Sequence, residues 1–109
     1  MTCEYCGTLG IVEASEARRR VGEHRKAIDA LDERLVALIN ERVRHSLLIR
    51  NLKPAAGMEL FDGPREKAIF ETVCAANEGP LSDACLREVY AVLLKVSKET
   101  PSLPATAKL

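Results

Sequence analysis

The fold is decided by the stretch Ser15–Lys53, which reads SEARRRVGEHRKAIDALDERLVALINERVRHSLLIRNLK. It contains no proline and one glycine, Gly22, and it is rich in the alanine, leucine, arginine, glutamate and lysine that favour helix. Apolar residues recur three and four positions apart and form one stripe, which includes Ile28, Leu31, Leu35, Leu38 and Ile49. The pattern predicts a single long amphipathic helix.

A continuous helix of this length extends beyond the domain that the chain builds. At 1.5 Å per residue it is about 58 Å long, whereas a compact chain of this size is about 30 to 35 Å across. The rest of the chain is too short to cover the whole apolar stripe. We therefore expect a second copy to pack along it, which makes the protein a homodimer.

A second helix is predicted after the first. Pro54 interrupts the long helix, and Gly57 suits the turn that follows. Asp62 is a good N-cap, and Pro64 lies in the first turn, where its missing N–H does no harm. We expect this helix to end before the segment 77–80, which reads NEGP.

A third helix is predicted from the N-cap Ser82 to about Thr100. No segment has an alternating pattern long enough to make a sheet. The predicted fold class is all-α, with one long helix and two shorter helices per protomer. The helical domain occupies 15–100, between a flexible cysteine-containing extension, 1–14, and a disordered tail, 101–109.

The charge balance disfavours two classes of partner. The 109 residues include 16 Lys plus Arg and 16 Asp plus Glu. A chain without excess positive charge lacks the usual electrostatic footprint of a nucleic-acid or membrane-surface protein. No apolar run approaches the roughly 20 residues that span a bilayer, so we expect a cytoplasmic protein.

The four cysteines have two interpretations. Cys3 and Cys6 form a C-x-x-C pair, which is half of a common zinc motif. Cys74 and Cys85 are ten residues apart and provide no second close pair. This spacing favours reduced thiols, two of them in the extension and two packed on helices, over a structural zinc site.

Two cations fall on the apolar face of the long helix. Arg42 occupies a position where the periodicity predicts an apolar side chain, and burial of an unpartnered guanidinium is costly. Lys53 follows eleven residues later, on the same face and about 16 Å along the axis. Both side chains could therefore converge on one small anion. In the alternative, Arg42 pairs with a carboxylate such as Glu66, and Lys53 only extends along the helix end.

Arg25 and the start of the second helix supply further candidates. Arg25 lies about 25 Å from Arg42 along the helix, so one chain cannot bring both to one small ligand. In an antiparallel dimer, Arg25 of one protomer can reach the Arg42 region of the other. Asp62, Arg65 and Glu66 cluster where free N–H groups favour an anion or a hydroxyl, although capping and surface solvation would also explain them.

Taken together, these residues resemble the pattern of the all-helical chorismate mutases. The match runs from about Val21 to Thr100 without a gap. The residues that carry it are Arg25, Ile28–Asp32, Leu35, Glu41, Arg42, Lys53, Gly57 and Asp62–Glu66.

The resemblance implies an intertwined homodimer with two equivalent sites and no cofactor. It also implies the rearrangement of chorismate to prephenate, in the biosynthesis of aromatic amino acids. By the same resemblance, Arg42 and the partner's Arg25 would bind the two substrate carboxylates. Lys53 would contact a carboxylate and the ether oxygen.

The resemblance assigns the remaining candidates to the ring of the substrate. Glu66 would accept the ring hydroxyl, with Asp62 and Arg65 shaping that side, and Ser97 occupies the position of the serine that binds the ring carboxylate. Family members usually carry Gln or Glu four residues after this serine, as a donor to the ether oxygen. In this chain that position is Pro101.

The sequence departs from the family pattern at two further positions, and two other functions fit the same residues. Pro54 directly follows Lys53, and Lys98 places a charge where the family commonly buries an apolar group. One alternative is an enzyme acting on isochorismate or aminodeoxychorismate, because the same cations would bind their carboxylates. The other alternative is a dimeric helical regulatory module without catalysis.

Overall fold

The computed structural model describes residues 12–101, which contain three helices and no strand. These are α1, Ala14–Leu52; α2, Gly63–Ala76; and α3, Asp83–Glu99. The predicted all-α class is confirmed, and α1 begins and ends within one residue of the predicted bounds. Most of the predicted extension and tail, with Cys3 and Cys6, lies outside the described residues. No helix within 12–101 combines the length and apolar character that crossing a membrane requires.

The chain divides into two units, one ending at Ile39 and one beginning at Asn40, and each is described by itself. The first unit contains a cluster of charges at the start of α1. Glu16 accepts hydrogen bonds from Arg19 and Arg20, and Arg19 also pairs with Glu23. These are neighbours three and four positions apart on one helix face, a spacing that stabilises helices. The bonds from the two guanidinium groups lower the pKa of Glu16 from 4.5 to about 2.

The apolar stripe of the first unit is exposed in the single chain. The large apolar side chains of this unit each keep between 38% and 58% of their surface accessible, and they are Val21, Ile28, Leu31, Leu35, Val36, Leu38 and Ile39. Apolar side chains at helical spacing normally face a packed neighbour. The single chain therefore leaves this stripe free for another surface.

The second unit begins with the last turns of α1. Pro54 has no N–H to continue the helix, yet the N–H of Lys53 still donates to the carbonyl oxygen of Ile49 at 2.9 Å. The chain then turns, and the N–H of Met58 returns to the carbonyl oxygen of Lys53 at 2.9 Å. Gly57 has a φ of 71°, which glycine adopts without steric cost. Pro54 thus ends α1 and leaves the backbone of Lys53 hydrogen-bonded as in a helix.

The two shorter helices begin at the predicted caps. A side-chain oxygen of Asp62 accepts the N–H of Arg65 at 2.9 Å, and Pro64 lies in the first turn of α2. The hydroxyl oxygen of Ser82 accepts the N–H of Cys85 at 3.1 Å. Each cap satisfies one of the N–H groups that a helix start leaves without an intrahelical partner. Both N-cap predictions are confirmed.

Asn77 joins the end of α2 to the start of α3. Its side-chain amide donates at 2.8 Å both to the carbonyl oxygen of Leu81 and to the carboxylate of Asp83. Its side-chain oxygen accepts the N–H of Gly79 at 3.0 Å. One side-chain amide therefore closes the short connection between the two helices, with two donated hydrogen bonds and one accepted.

Little of the described chain is fully buried. Within residues 12–101, only Leu47 and Ser97 expose less than a tenth of their surface, at 3% and 5%. Small domains gain most of their stability from buried apolar area. One copy of this chain therefore has a small core of its own.

Candidate active site

A cavity of about 510 Å³ lies within the second unit. Its walls come from the last turns of α1, the segment 60–62, the start of α2 and the end of α3. The volume is in the range of roughly 300 to 1,000 Å³ that small-molecule sites occupy. Six of the seven candidate residues line it, namely Arg42, Lys53, Asp62, Arg65, Glu66 and Ser97.

Arg25 is the seventh candidate, and it belongs to the first unit. Its side chain is exposed, and it is not among the described residues that line the cavity. The sequence-based prediction already placed it in the site of a partner protomer. Its role stays a prediction.

The cavity carries an excess of positive charge. In the described part of the chain, five cationic side chains line it: Arg42, Arg50, Lys53, Arg65 and Lys98. Two carboxylates, Asp62 and Glu66, oppose them. A concave site with three more cations than carboxylates attracts a small anion.

Arg42 is half-buried, as its position in the apolar stripe predicts. Its guanidinium carbon lies 5.7 Å from the centre of the Tyr90 ring, within the range of a cation–π contact. Within residues 12–101, no carboxylate lies within 4.0 Å of it, and Glu66 pairs elsewhere. The alternative of an Arg42–Glu66 ion pair is therefore wrong. A smaller cavity of about 170 Å³ beside Tyr90 is also lined by Arg42.

Lys53 reaches the cavity from the turn that follows α1. Its ammonium donates to the carbonyl oxygen of Leu60 at 2.7 Å. An ammonium has three N–H donors, so this bond orients the group and leaves two donors for a ligand. Pro54 does not displace Lys53 from the cavity wall.

Glu66 forms an ion pair with Lys98, and both residues line the cavity. Its Oε2 lies 2.6 Å from Nζ of Lys98, and the two side chains are 29% and 57% exposed. The same ammonium lies 5.8 Å from the centre of the Phe61 ring. A partly exposed pair adds little to stability, but these contacts define where both charges lie.

Asp62 and Arg65 have different surroundings. One oxygen of Asp62 is engaged in capping α2, so the capping interpretation applies to this residue, although it also lines the cavity. The side chain of Arg65 is exposed and borders both cavities. The carboxylate of Asp62 therefore contributes its charge to the cavity, while one of its oxygens caps α2.

Ser97 is the most buried polar residue of the site. Its hydroxyl donates to the carbonyl oxygen of Leu93 at 2.8 Å, one turn earlier in α3. The hydroxyl proton must rotate away from Leu93 before it can donate to a ligand, whereas its oxygen can accept without that change. Arg50 and Lys98 lie beside it in the cavity wall.

α3 ends just before Pro101, and the residues at this end lie outside the cavity lining. The helix ends at Glu99, and the hydroxyl of Thr100 donates back to the carbonyl oxygen of Val96 at 2.7 Å. Among the described residues, neither Glu99, Thr100 nor Pro101 lines the cavity. The donor to the ether oxygen that the resemblance implies after Ser97 therefore has no counterpart at residues 99–101.

Arg50 is a site residue that the sequence-based analysis missed. Its guanidinium donates to the carbonyl oxygens of Ser97 at 2.8 Å, Thr100 at 2.9 Å and Lys98 at 3.3 Å. The last carbonyls of a helix have no intrahelical partner, and a cation there is favoured by the helix dipole. A signal was available, because Arg42, Ser46 and Arg50 are spaced by four residues and share one helix face.

Residues 12–101 form an all-helical fold with a cavity lined by five cations and two carboxylates. Residues 24–101 match the sequence profile of the family described as chorismate mutase type II. The match covers more than half of the chain. The chain belongs to this family.

Two known proteins illustrate the relationship. The bifunctional chorismate mutase/prephenate dehydratase of Neisseria gonorrhoeae (strain ATCC 700825 / FA 1090) is 34% identical over 69% of this chain and 21% of its own length. This chain thus spans about a fifth of that relative. The structure of chorismate mutase (Form II) from Thermus thermophilus superimposes with a TM-score of 0.70 at 28% identity, over 73% of this chain and 91% of the other.

Proposed function

We propose that the protein catalyses the rearrangement of chorismate to prephenate, as a cytoplasmic homodimer with two sites. The observation that carries this proposal is a cavity of about 510 Å³ that is lined by five cations and only two carboxylates. It lies in a chain of the chorismate mutase type II family. Chorismate carries two carboxylates. A cavity of small-molecule volume with surplus positive charge suits a small dianion such as chorismate.

The reaction requires neither a nucleophile nor a cofactor. In this Claisen rearrangement the carbon–oxygen bond of the ether breaks while a new carbon–carbon bond forms, and the electrons move within one ring of six atoms. No proton is transferred. A protein accelerates such a step by holding the reactive conformer and by placing positive charge where the ether oxygen gains negative charge.

Arg42 and Lys53 are the residues that we assign to these two tasks. Arg42 has no ionic partner within residues 12–101, so its planar fork is available to bind a carboxylate in two places. Lys53 is oriented by Leu60 and keeps two donors, which suit a carboxylate and the ether oxygen together. Because residues 99–101 do not line the cavity, Lys53 carries more of the stabilisation of the ether oxygen than it would beside a Gln or Glu.

The ring of the substrate faces the other wall of the cavity. Glu66, held by its ion pair with Lys98, accepts a hydrogen bond from the ring hydroxyl, which keeps its proton. Ser97 binds the ring carboxylate once its hydroxyl turns away from Leu93. Asp62 and Arg65 shape the mouth of the cavity beside Glu66.

The apolar side chains that one copy leaves exposed support the proposed homodimer. The stripe from Val21 to Leu38 remains about half accessible, and residues 12–101 bury only one apolar side chain, Leu47, almost completely. Burial of a Leu or Ile side chain contributes roughly 1.5 to 3 kcal/mol, so a second copy packed along this stripe supplies the missing core. In the same arrangement the partner's Arg25 completes the site.

The direct test is an assay of the purified protein with chorismate. We expect chorismate to be consumed and prephenate to form in equal amounts, well above the uncatalysed rate. The variant Arg42→Ala should lose this activity, whereas Arg44→Ala, on an exposed face of the same helix outside the cavity lining, should retain it. A purified, folded protein that leaves chorismate at the background rate would refute the proposal.

A further inference from the structure

Among the described residues, Lys98 is the cavity cation that contacts a carboxylate of the same cavity. Its ammonium lies 2.6 Å from the carboxylate of Glu66 and 5.8 Å from the centre of the Phe61 ring. All three side chains line the cavity. Any substrate group that approaches Glu66 therefore meets the ammonium of Lys98 as well.

Such a pair of opposite charges selects among polar groups by their hydrogen-bonding capacity. A hydroxyl has one proton and two lone pairs, so it can donate to Glu66 and accept from Lys98 at the same time. An ammonium can donate to Glu66 but has no lone pair, and its positive charge is repelled by that of Lys98. The amino group of aminodeoxychorismate is an ammonium near pH 7, as an alkylamine normally is.

We propose that Lys98 is a specificity-determining residue, which together with Glu66 makes the site select a ring hydroxyl over a ring ammonium. The inference rests on the proposed function, and it extends it to the choice between chorismate and aminodeoxychorismate. Glu66 alone would attract an ammonium, because a carboxylate without a cationic neighbour is the usual partner of an amine. The charge of Lys98 is what reverses this preference.

Other charged groups near Glu66 do not replace Lys98. Asp62 uses one oxygen to cap α2, and Lys53 is oriented toward Leu60. Arg65 lies in the first turn of α2, next to Glu66 in the sequence, but the two side chains form no ion pair within residues 12–101. Of the described cations, Lys98 is the one in contact with this carboxylate.

The test compares kcat/KM for chorismate and for aminodeoxychorismate in the wild type and in Lys98→Met. Methionine keeps an unbranched apolar stem beside Phe61 and removes the charge. We expect the preference for chorismate to fall by about tenfold, a moderate change because Lys98 is more than half exposed and its charge is screened by solvent. Lys98→Arg should restore the preference, which a merely structural role of this position would not predict.

Lys95→Met is the matched control. Lys95 lies on the same helix, is 72% exposed and pairs with Glu99 at 4.0 Å, outside the cavity lining. We expect it to leave the ratio of the two kcat/KM values unchanged. A ratio that is the same in the wild type and in Lys98→Met would overturn the inference while the proposed function stands.

A separate measurement distinguishes failure of the proposed function from failure of the inference about Lys98. If the wild type rearranges neither compound, the proposed function is refuted. The dissociation constants of the two compounds, measured by calorimetry in the wild type and Lys98→Met, then test the selection by Lys98 without turnover. Tighter binding of chorismate in the wild type that is lost in Lys98→Met supports the inference, and equal ratios in both proteins contradict it.

Discussion

The guanidinium of Arg50, near the end of α1, donates to the carbonyl oxygen of Ser97, near the end of α3, at 2.8 Å. Further bonds reach the carbonyl oxygens of Thr100 and Lys98. Because Pro101 cannot continue the helix, these carbonyls depend on a partner from elsewhere in the fold. One arginine therefore sets the position of the backbone that carries Ser97 and Lys98 into the cavity.

Removal of Arg50 should affect both stability and activity. Hydrogen bonds from a charged donor contribute about 1.5 to 3 kcal/mol each when buried, and these are only partly buried. We expect Arg50→Met to lower the free energy of unfolding by about 2 kcal/mol and to raise KM, because Ser97 loses its fixed position. Urea unfolding and steady-state kinetics would measure the two effects.

The control for this prediction is Arg44→Met, an exposed arginine on α1 outside the cavity lining. It should change the free energy of unfolding by less than about 0.5 kcal/mol, as surface substitutions usually do. If both variants unfold at the same urea concentration as the wild type, the three bonds of Arg50 do not hold the end of α3.

The geometry of Arg42 predicts that charge alone is insufficient at this position. Arg42→Lys keeps the positive charge but replaces a planar fork with a point charge, which cannot bind a carboxylate at two places. We expect kcat/KM for chorismate to fall by a factor equivalent to about 2 to 3 kcal/mol. An unchanged kcat/KM would show that Arg42 does not bind a substrate carboxylate in this way.

Much of the fold could be predicted from local chemistry. The bounds of α1 follow from helix-forming residues and from Pro54, and the starts of α2 and α3 follow from the caps Asp62 and Ser82. Each of these signals acts within a few residues of the chain. Because these signals are local, the helix bounds can be predicted without knowledge of the tertiary contacts.

The contacts of the site were harder to predict, because they join residues far apart in the sequence. The helix periodicity allowed Arg42 as a partner for Glu66, whereas the structure pairs Glu66 with Lys98. The predicted site did not include Arg50, whose partners lie 47 to 50 positions away at the end of α3. Periodicity shows which residues share a face of one helix, but only packing decides which ends of two helices meet.

The charge cluster at the start of α1 predicts a specific response to acid. The pKa of Glu16 is lowered to about 2 by its bonds to Arg19 and Arg20, so the folded state favours the ionised carboxylate. The stabilisation is present above pH 4.5, the ordinary pKa of this side chain, and is lost as the pH falls from 4.5 to about 2. Below that range, the first turns of α1 should fray.

The carbon-13 chemical shift of the Glu16 carboxyl group, followed by NMR through an acid titration, measures this directly. The wild type should titrate near pH 2, and replacement of both Arg19 and Arg20 by Gln should move the midpoint toward 4.5. A midpoint near 4.5 in the wild type would show that the two guanidinium groups do not bind this carboxylate in solution.

The exposed stripe predicts which substitution would disrupt the proposed dimer. Leu35→Glu places a charge in the middle of the stripe, and burial of an unpaired carboxylate at a dimer interface costs several kcal/mol. We expect the variant to sediment as a monomer where the wild type sediments as a dimer. Glu33→Gln, on another face of the same helix, should leave the dimer intact, and a wild type that is itself monomeric would contradict the proposal.

We propose that each site joins Arg42 of one chain with Arg25 of its partner. Arg25→Ala and Arg42→Ala should each be inactive alone. After subunit exchange between equal amounts, half of the dimers pair the two variants and contain one intact site, so we predict about a quarter of the wild-type activity. No recovery of activity, with exchange verified by mass spectrometry, would contradict the account.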